Sequence, residues 1–381
     1  MTSKEIGELR RRMRPDRTNM TSVRGCYVSA SGEILSTFRE SVALMSQEDK
    51  ESYLSIFRRV LSGAQDKNLI DLSFQTSQVA DSDEHRLLMA LRNSGLDDEQ
   101  ALETFYQTVT SALASEDHYL ILLAHERYDV PFKAKDGAML EDGSQVFTYV
   151  LCAICPVKPG KAALRYNAEE KEFHNQGGAY TVGAPELGFL FPAFDGRRTN
   201  LYNCLYYSHS LANNHPELVQ ALFRLEPPEP AEVQKESFGE LLSQSLEDAC
   251  SLPLVQKVHE QLRQNIEAHK ELKSDEPLVV SRQEVSDVLS TCGVEEAKLA
   301  KFNVEFDQHF GADAALSPAN LIDAKKFQLK TPDVTIQVNP ERTDLVQTRV
   351  IGGVKYLLIC ADDGVEVNGI GVNIPGLAKE E

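Results

Sequence analysis

The densest group of chemistry-bearing residues lies in Gly188 to His209, GFLFPAFDGRRTNLYNCLYYSH, where Asp195-Gly196-Arg197-Arg198-Thr199-Asn200 interrupts an aromatic run. Asp195, Arg197, Arg198 and Asn200 offer a carboxylate, two guanidiniums and an amide. Arginine pairs recognise phosphate or carboxylate through bidentate hydrogen bonds. The turn is therefore a candidate ligand site for a phosphorylated or carboxylated small molecule, and equally a solvated hairpin end. Apolar stretches on both sides of an Asp-Gly turn predict two strands folding back on each other. Leu201, Tyr202, Leu205 and Tyr206 also have helical spacing, so strand and helix both stand for 199–208. A hydrolytic or transferase site would draw in addition on His125, Glu126, His174, Asn175 and His209. Against it stands a plainer reading, surface polar groups and an internal ion pair.

Familiar catalytic motifs fail on spacing. Pro159-Gly160-Lys161-Ala162 resembles the end of a phosphate loop, but that motif needs glycine where Cys155 stands and Ser or Thr where Ala162 stands. There is no dinucleotide fingerprint and no Gly-x-Ser-x-Gly elbow. Cys152 and Cys155 form a lone C-x-x-C without a second pair, and on a strand they would point to opposite faces. His125-Glu126-Arg127-Tyr128-Asp129 imitates a zinc-protease motif, which works only on a helix, whereas this segment leaves an apolar strand. No metal site and no cofactor are expected.

Charge narrows the partners. The 381 residues carry a formal net charge of −19, which argues against broad nucleic-acid binding and against an anionic membrane surface. Residues 1 to 24 run the other way, with Lys4, Arg10, Arg11, Arg12, Arg14, Arg17 and Arg24 against Glu5, Glu8 and Asp16. A basic N-terminal arm on an acidic body suggests contact with a protein or ribonucleoprotein partner through Arg10, Arg11, Arg12, Arg14 and Arg17. The plainer reading is a solvated helix face folded back on the body. No apolar export signal follows the basic start, and no apolar run reaches membrane-spanning length. Seven scattered cysteines then read as reduced and buried, and the protein as cytoplasmic.

The elements that position these residues follow from periodicity and caps. A helix is expected over 3–13, a hairpin over 23–38, and a Ser46-capped helix to Leu61 stopped by Gly63. A strand at 69–74 and helices at 83–92 and 97–113 precede two long apolar strands, 118–124 and 145–157. Residues 158–186 read as loop with one short hairpin. Residues 225–236, LEPPEPAEVQKE, have linker composition. Helices follow at 238–249 and 253–272, then at 281–291 with a Ser281–Glu284 capping box, then at 295–310. The last two could pass for a helix-turn-helix, but Glu295, Glu296, Glu305 and Asp307 would meet phosphate repulsion. The tail alternates as β structure. The expected class is α+β: a central, mostly antiparallel sheet with packed helices (1–224), the linker, a helical segment (237–323) and a small C-terminal β unit (324–381).

Five strings carry a family resemblance: RGCYV from Arg24 with Gly32-Glu33-Ile34, FPAFDGRRTNLYNCLYYS from Phe191, SPANLIDAKKF from Ser317, TPDVTIQVNPERTDLVQTR from Thr331, and GVEVNG from Gly364. By these the chain resembles a family of uncharacterised Firmicutes proteins defined as a domain of unknown function. The resemblance spans nearly the whole chain and implies one full-length unit of bacterial cytoplasmic origin, with no activity or site attached. The sequence therefore favours a non-enzymatic interaction protein, with an enzyme acting near Asp195–Asn200 as the alternative. A structural subunit is a third reading, which predicts an exposed apolar patch or open sheet edge in the C-terminal β unit.

Overall fold

The computed structural model describes residues 1–133, 139–160, 163–167, 169–176, 179–272, 278–312, 314–361, 364–367 and 369–372. The chain is α+β and divides into two compact units, Met1–Val233 and Gln234–Glu381. In the first unit the strands are β1 (Ser22–Val28), β2 (Ile34–Ser41), β3 (Leu69–Ser73), β4 (His118–Lys133), β5 (Met139–Pro159), β6 (Ala163–Asn167), β7 (Glu172–Gln176), β8 (Tyr180–Val182), β9 (Leu187–Phe191), β10 (Ala193–Asp195), β11 (Arg198–Asn200) and β12 (Asn203–Ser208). Its helices are α1 (Ser3–Arg10), α2 (Gln47–Val60), α3 (Thr76–Asp81), α4 (Asp83–Ser94), α5 (Glu99–Ala112) and α6 (Pro216–Phe223).

Seven strands lie in the order β2-β1-β4-β5-β9-β12-β3, and β8 pairs with the last residues of β5. All pairings are antiparallel. Antiparallel sheets commonly keep one face in water, but this one is covered on both. Ile121, Leu123, Cys152 and Ile154 pack beneath α4, α5 and α6. Leu120, Leu122, Ala124, Leu151, Ala153 and Cys155 pack beneath α1 and α2. Successive strand residues point to opposite faces, so two buried faces require uninterrupted apolar runs. That is why 119–124 and 149–155 read as they do.

Helix α2 begins at its expected cap, where the Asp49 N–H donates to Ser46 Oγ at 3.0 Å. Leu54, Phe57 and Val60 are its buried face, each worth roughly 1.5–3 kcal/mol of transfer free energy. Acidic Glu48 and Asp49 open the helix and Arg58 and Arg59 close it, both favourable to the helix dipole. Its end seats on β9 at Gly188, where a Cβ would stand 2.5 Å from the Cys152 carbonyl oxygen and 2.8 Å from Val60 Cγ1.

Several elements differ from expectation. The cap of α1 is Thr2 rather than Ser3, forming a capping box with Glu5. Strand β4 runs on through His125–Asp129, α3 was not foreseen, and the segment after β5 holds both the β6–β7 hairpin and β8. Segment 199–208 is strand on either side of a turn at Leu201 and Tyr202, not helix: β10 and β11 form a hairpin, and β12 pairs with β9 and β3. Helix α7 (Ala231–Leu246) begins inside the stretch expected as linker. Before it, the Asn214 side chain donates to the Pro228 carbonyl at 2.8 Å, and Ala231 is buried.

In the second unit α8 (Leu252–Leu272), α9 (Arg282–Thr291), α10 (Glu296–Phe310) and α11 (Pro318–Leu321) surround Leu246, Leu289, Phe302 and Phe306. The Ser281–Glu284 capping box of α9 is present. Strands β13 (Val280–Ser281) with β14 (Ala315–Leu316), β15 (Phe327–Lys330) with β16 (Thr335–Val338), β17 (Val346–Ile351) with β18 (Val354–Ile359), and β19 (Val365–Val367) with β20 (Ile370–Val372) form separate two-stranded sheets. Val350, Ile351 and Val354 at the β17–β18 tip are 67%, 54% and 54% exposed. Among the described residues no further strand pairs with these hairpin edges.

Candidate functional site

The Asp195–Asn200 turn is a two-residue hairpin loop in which Gly196 and Arg197 have φ of 55° and 57°. It does not gather its four polar groups around one point. The Arg197 guanidinium pairs with Glu8 of α1 and donates to the Pro131 carbonyl at 3.0 Å, while its backbone N–H donates to Glu5 Oε1 at 3.0 Å. Asn200 Nδ2 donates to Asp195 Oδ2 at 3.3 Å and to Asn203 Oδ1 at 3.2 Å. Asp195 and Arg198 are exposed. Arg197 thus serves as a clamp on α1.

The basic N-terminal segment is also built into the fold. Ile6, Leu9 and Met13 are buried in the α1–α2 layer. Arg12 lies with its guanidinium carbon 4.1 Å from the Tyr128 ring centroid and reaches Glu126 Oε1 through Nε at 3.1 Å and Nη2 at 2.7 Å. Glu126 is fully buried and also accepts the Asn19 N–H at 3.0 Å and the Tyr149 hydroxyl at 2.5 Å. Tyr149 stands directly opposite it in the β4–β5 register. Burial, and then the Glu126 charge, push the Tyr149 hydroxyl far above its ordinary pKa, so it stays a donor. Burial, with the hydrogen bond to Glu8, pushes Tyr128 up to about 12. Of the five basic candidates, Arg12 is spent on this network, while Arg10, Arg11, Arg14 and Arg17 are exposed.

Arg10 opens onto a groove of about 1130 Å³ at the end of α2. Arg58, Arg59, Tyr53 and Ile56 of α2 form one wall. Gly63, Asn68, the 182–185 segment, Leu120, Tyr207, His209 and Leu211 complete it. No carboxylate lines it, although the chain has 58 acidic residues. Among the described residues, Arg10, Arg58 and Arg59 form no ion pair. Burial raises the pKa of the Tyr207 hydroxyl, and the nearby Arg59 guanidinium opposes that rise without outweighing it. The serines here are committed to the backbone: Ser52 donates to the Glu48 carbonyl at 2.9 Å, Ser55 to Ser52 at 2.8 Å and Ser62 to Arg58 at 2.7 Å.

Two details fix the groove's open end. Asn68 Nδ2 donates to the Ser208 carbonyl at 3.0 Å and the His209 carbonyl at 3.3 Å, and the His209 N–H donates to the Glu186 carbonyl at 2.7 Å. Gly63 has φ of 148°, and a Cβ there would lie 2.5 Å from Asn68 Cβ. Any other residue would strain the turn that holds Asn68 in place.

The remaining sequence candidates do not converge. His125 and Glu126 are neighbours on β4 and face opposite layers, His125 toward Gly95 and Glu126 toward Arg12. His174 pairs with Glu170 at 2.8 Å on the exposed β6–β7 hairpin, and the side chain of Asn175 lies outside the described residues. Cys152 and Cys155 belong to opposite cores, with burial holding Cys152 far above the ordinary thiol pKa and pushing Cys155 up to about 12. Only Arg10 and His209 among the candidates reach the groove.

Residues 1–370 match the family described as Domain of unknown function (DUF4317). The chain belongs to that family. No curated protein and no solved structure matches it. The groove residues that sequence reasoning passed over are Arg58, Arg59, Tyr53 and Asn68. Their one signal was a pair of arginines closing an amphipathic helix just before a glycine, a pattern that a solvated helix end shares.

Proposed function

We propose that this family member binds an anionic, phosphate-bearing or carboxylate-bearing small molecule in the groove at the end of α2. The observation that carries the reading is three guanidiniums and a histidine in a lining with no carboxylate, on a chain of net charge −19. Surface cations on an acidic protein normally find acidic partners, and each one left open in a concave site favours an anion arriving from solution. The ligand class agrees with that expected for the Asp195 turn, but the site moves, because Arg197 is engaged by Glu8. With its serines bonded to helix carbonyls, the groove offers no activated nucleophile, so the reading is binding rather than group transfer.

Thermal unfolding with inorganic pyrophosphate tests it. A ligand that binds only the native state raises Tm progressively with its concentration. The expected result is such a rise for the native chain, beyond that in potassium chloride of matched ionic strength, and none for Arg58→Gln/Arg59→Gln. Equal behaviour in both salts, with no rise from ADP or farnesyl diphosphate either, sinks the reading.

A second reading rests on Arg11, Arg14 and Arg17, which stay exposed while Arg12 is consumed. They are suited to an acidic protein or ribonucleoprotein partner in the cytoplasm. Native pull-down with and without nuclease, comparing the chain with an Arg11→Gln/Arg14→Gln/Arg17→Gln variant, tests it. Unchanged recovery of associated material removes this reading.

A further inference from the structure

We infer that the ligand of the α2 groove is bipartite, a phosphoryl head on an apolar or aromatic body, rather than a bare inorganic anion. This rests on the anion-binding reading above and adds the chemical class of the molecule.

The groove's polarity is graded along α2. Its basic end is Arg58 and Arg59, with Arg10 arriving from α1. Within the preceding two turns the same helix presents Ile56 and Tyr53, beside Ser52 and Ser55 whose hydroxyls are bonded to helix carbonyls. At 1.5 Å rise per residue, Tyr53 and Arg59 are about 9 Å apart along the axis. Residues three and four apart share a helix face, so Tyr53, Ile56 and Arg59 form one stripe. Leu120, Val182 and Pro185 add further apolar lining. Tyr53 is half-buried, and burial together with Glu40 and Asp49 raises its pKa, so it presents a neutral ring.

Size agrees. About 1130 Å³ is far more than one phosphate fills and slightly exceeds the span of order 300–1,000 Å³ typical of clefts that hold drug-sized organic ligands. The helix dipole works against a bare anion. The C-terminal end of a helix carries a partial negative charge, so α2 itself repels an anion there and the guanidiniums must outweigh it. A head group held against that opposition gains from an apolar body that removes Ile56 and Val182 from water.

Three probes share a diphosphate head and differ only in the body: ADP, farnesyl diphosphate and inorganic pyrophosphate. Isothermal titration of the full chain should show at least one organic diphosphate binding roughly tenfold or more tighter than pyrophosphate, the free-energy step that modest apolar burial supplies. Preference for ADP assigns a nucleoside phosphate, preference for farnesyl diphosphate an isoprenoid phosphate. Tyr53→Ala and Ile56→Ser should each bring the organic ligand toward the pyrophosphate value and leave pyrophosphate unchanged. Arg58→Gln/Arg59→Gln should weaken all three. Pyrophosphate binding as tightly as both organic probes overturns the bipartite ligand and leaves the anion site standing. No binding by any of the three overturns both.

Discussion

At the scale of single residues the most consequential group is Glu126, a fully buried carboxylate whose partners come from three places: Arg12, the Asn19 N–H and Tyr149. Removing one member of a buried pair strands the other charge, at a cost of about 3–5 kcal/mol. Arg12→Ala should lose that much in urea unfolding, and Arg12→Met/Glu126→Gln should recover part of it, since no bare charge remains. His125 supplies a pH signature. Burial, with the Arg92 and Arg127 charges nearby, lowers its pKa in the folded chain against the opposing pull of the Arg92 backbone and of Asp97. The unfolded chain then binds the proton more readily, so stability is complete above the ordinary histidine value of about 6.5 and declines as pH falls through it. The decline levels off once the folded form is protonated too. His125→Gln should flatten the difference in stability between pH 7 and pH 5, and an unchanged slope would assign it elsewhere.

At the scale of elements, the seating of α2 on β9 controls the groove. Gly188→Ala would drive a methyl against the Cys152 carbonyl and Val60. The expected cost is about 1–3 kcal/mol of overpacking, together with weaker pyrophosphate binding as Arg58 and Arg59 shift. Stability and affinity measured on one variant should fall together. These elements were largely legible beforehand. Ser46, the Ser281–Glu284 pair and the runs at 119–124 and 149–155 are local signals, and local signals survive folding. The site was not legible. Arg10, Arg58, Arg59 and His209 meet only because strand order places β12 beside β3 and stands α1 and α2 over the same face. The Asp195 turn misled for the same reason. Its hairpin was visible in the sequence, but the carboxylates that occupy Arg197 belong to α1, far away in the chain.

At the scale of the molecule, Met1–Val233 contains the whole sheet, both of its cores and every groove residue. Residues 1–233 expressed alone should unfold cooperatively and bind pyrophosphate like the full chain. Loss of binding on truncation would place part of the site's support in Gln234–Glu381. Among the described residues no helix is long and apolar enough to cross a membrane.

The two-sided sheet also carries a reporter in each of its layers. Cys26, Cys152 and Cys204 sit in the core under α4, α5 and α6, and Cys155 alone sits in the core under α1 and α2. All four are reduced and buried. Alkylation by iodoacetamide requires exposure, and regions of a native protein open with different free energies. The α1–α2 layer has fewer helices over it, so Cys155 should be alkylated ahead of Cys152, resolved peptide by peptide in a mass spectrometer. The timing of two thiols three residues apart would then give the order in which the protein comes undone.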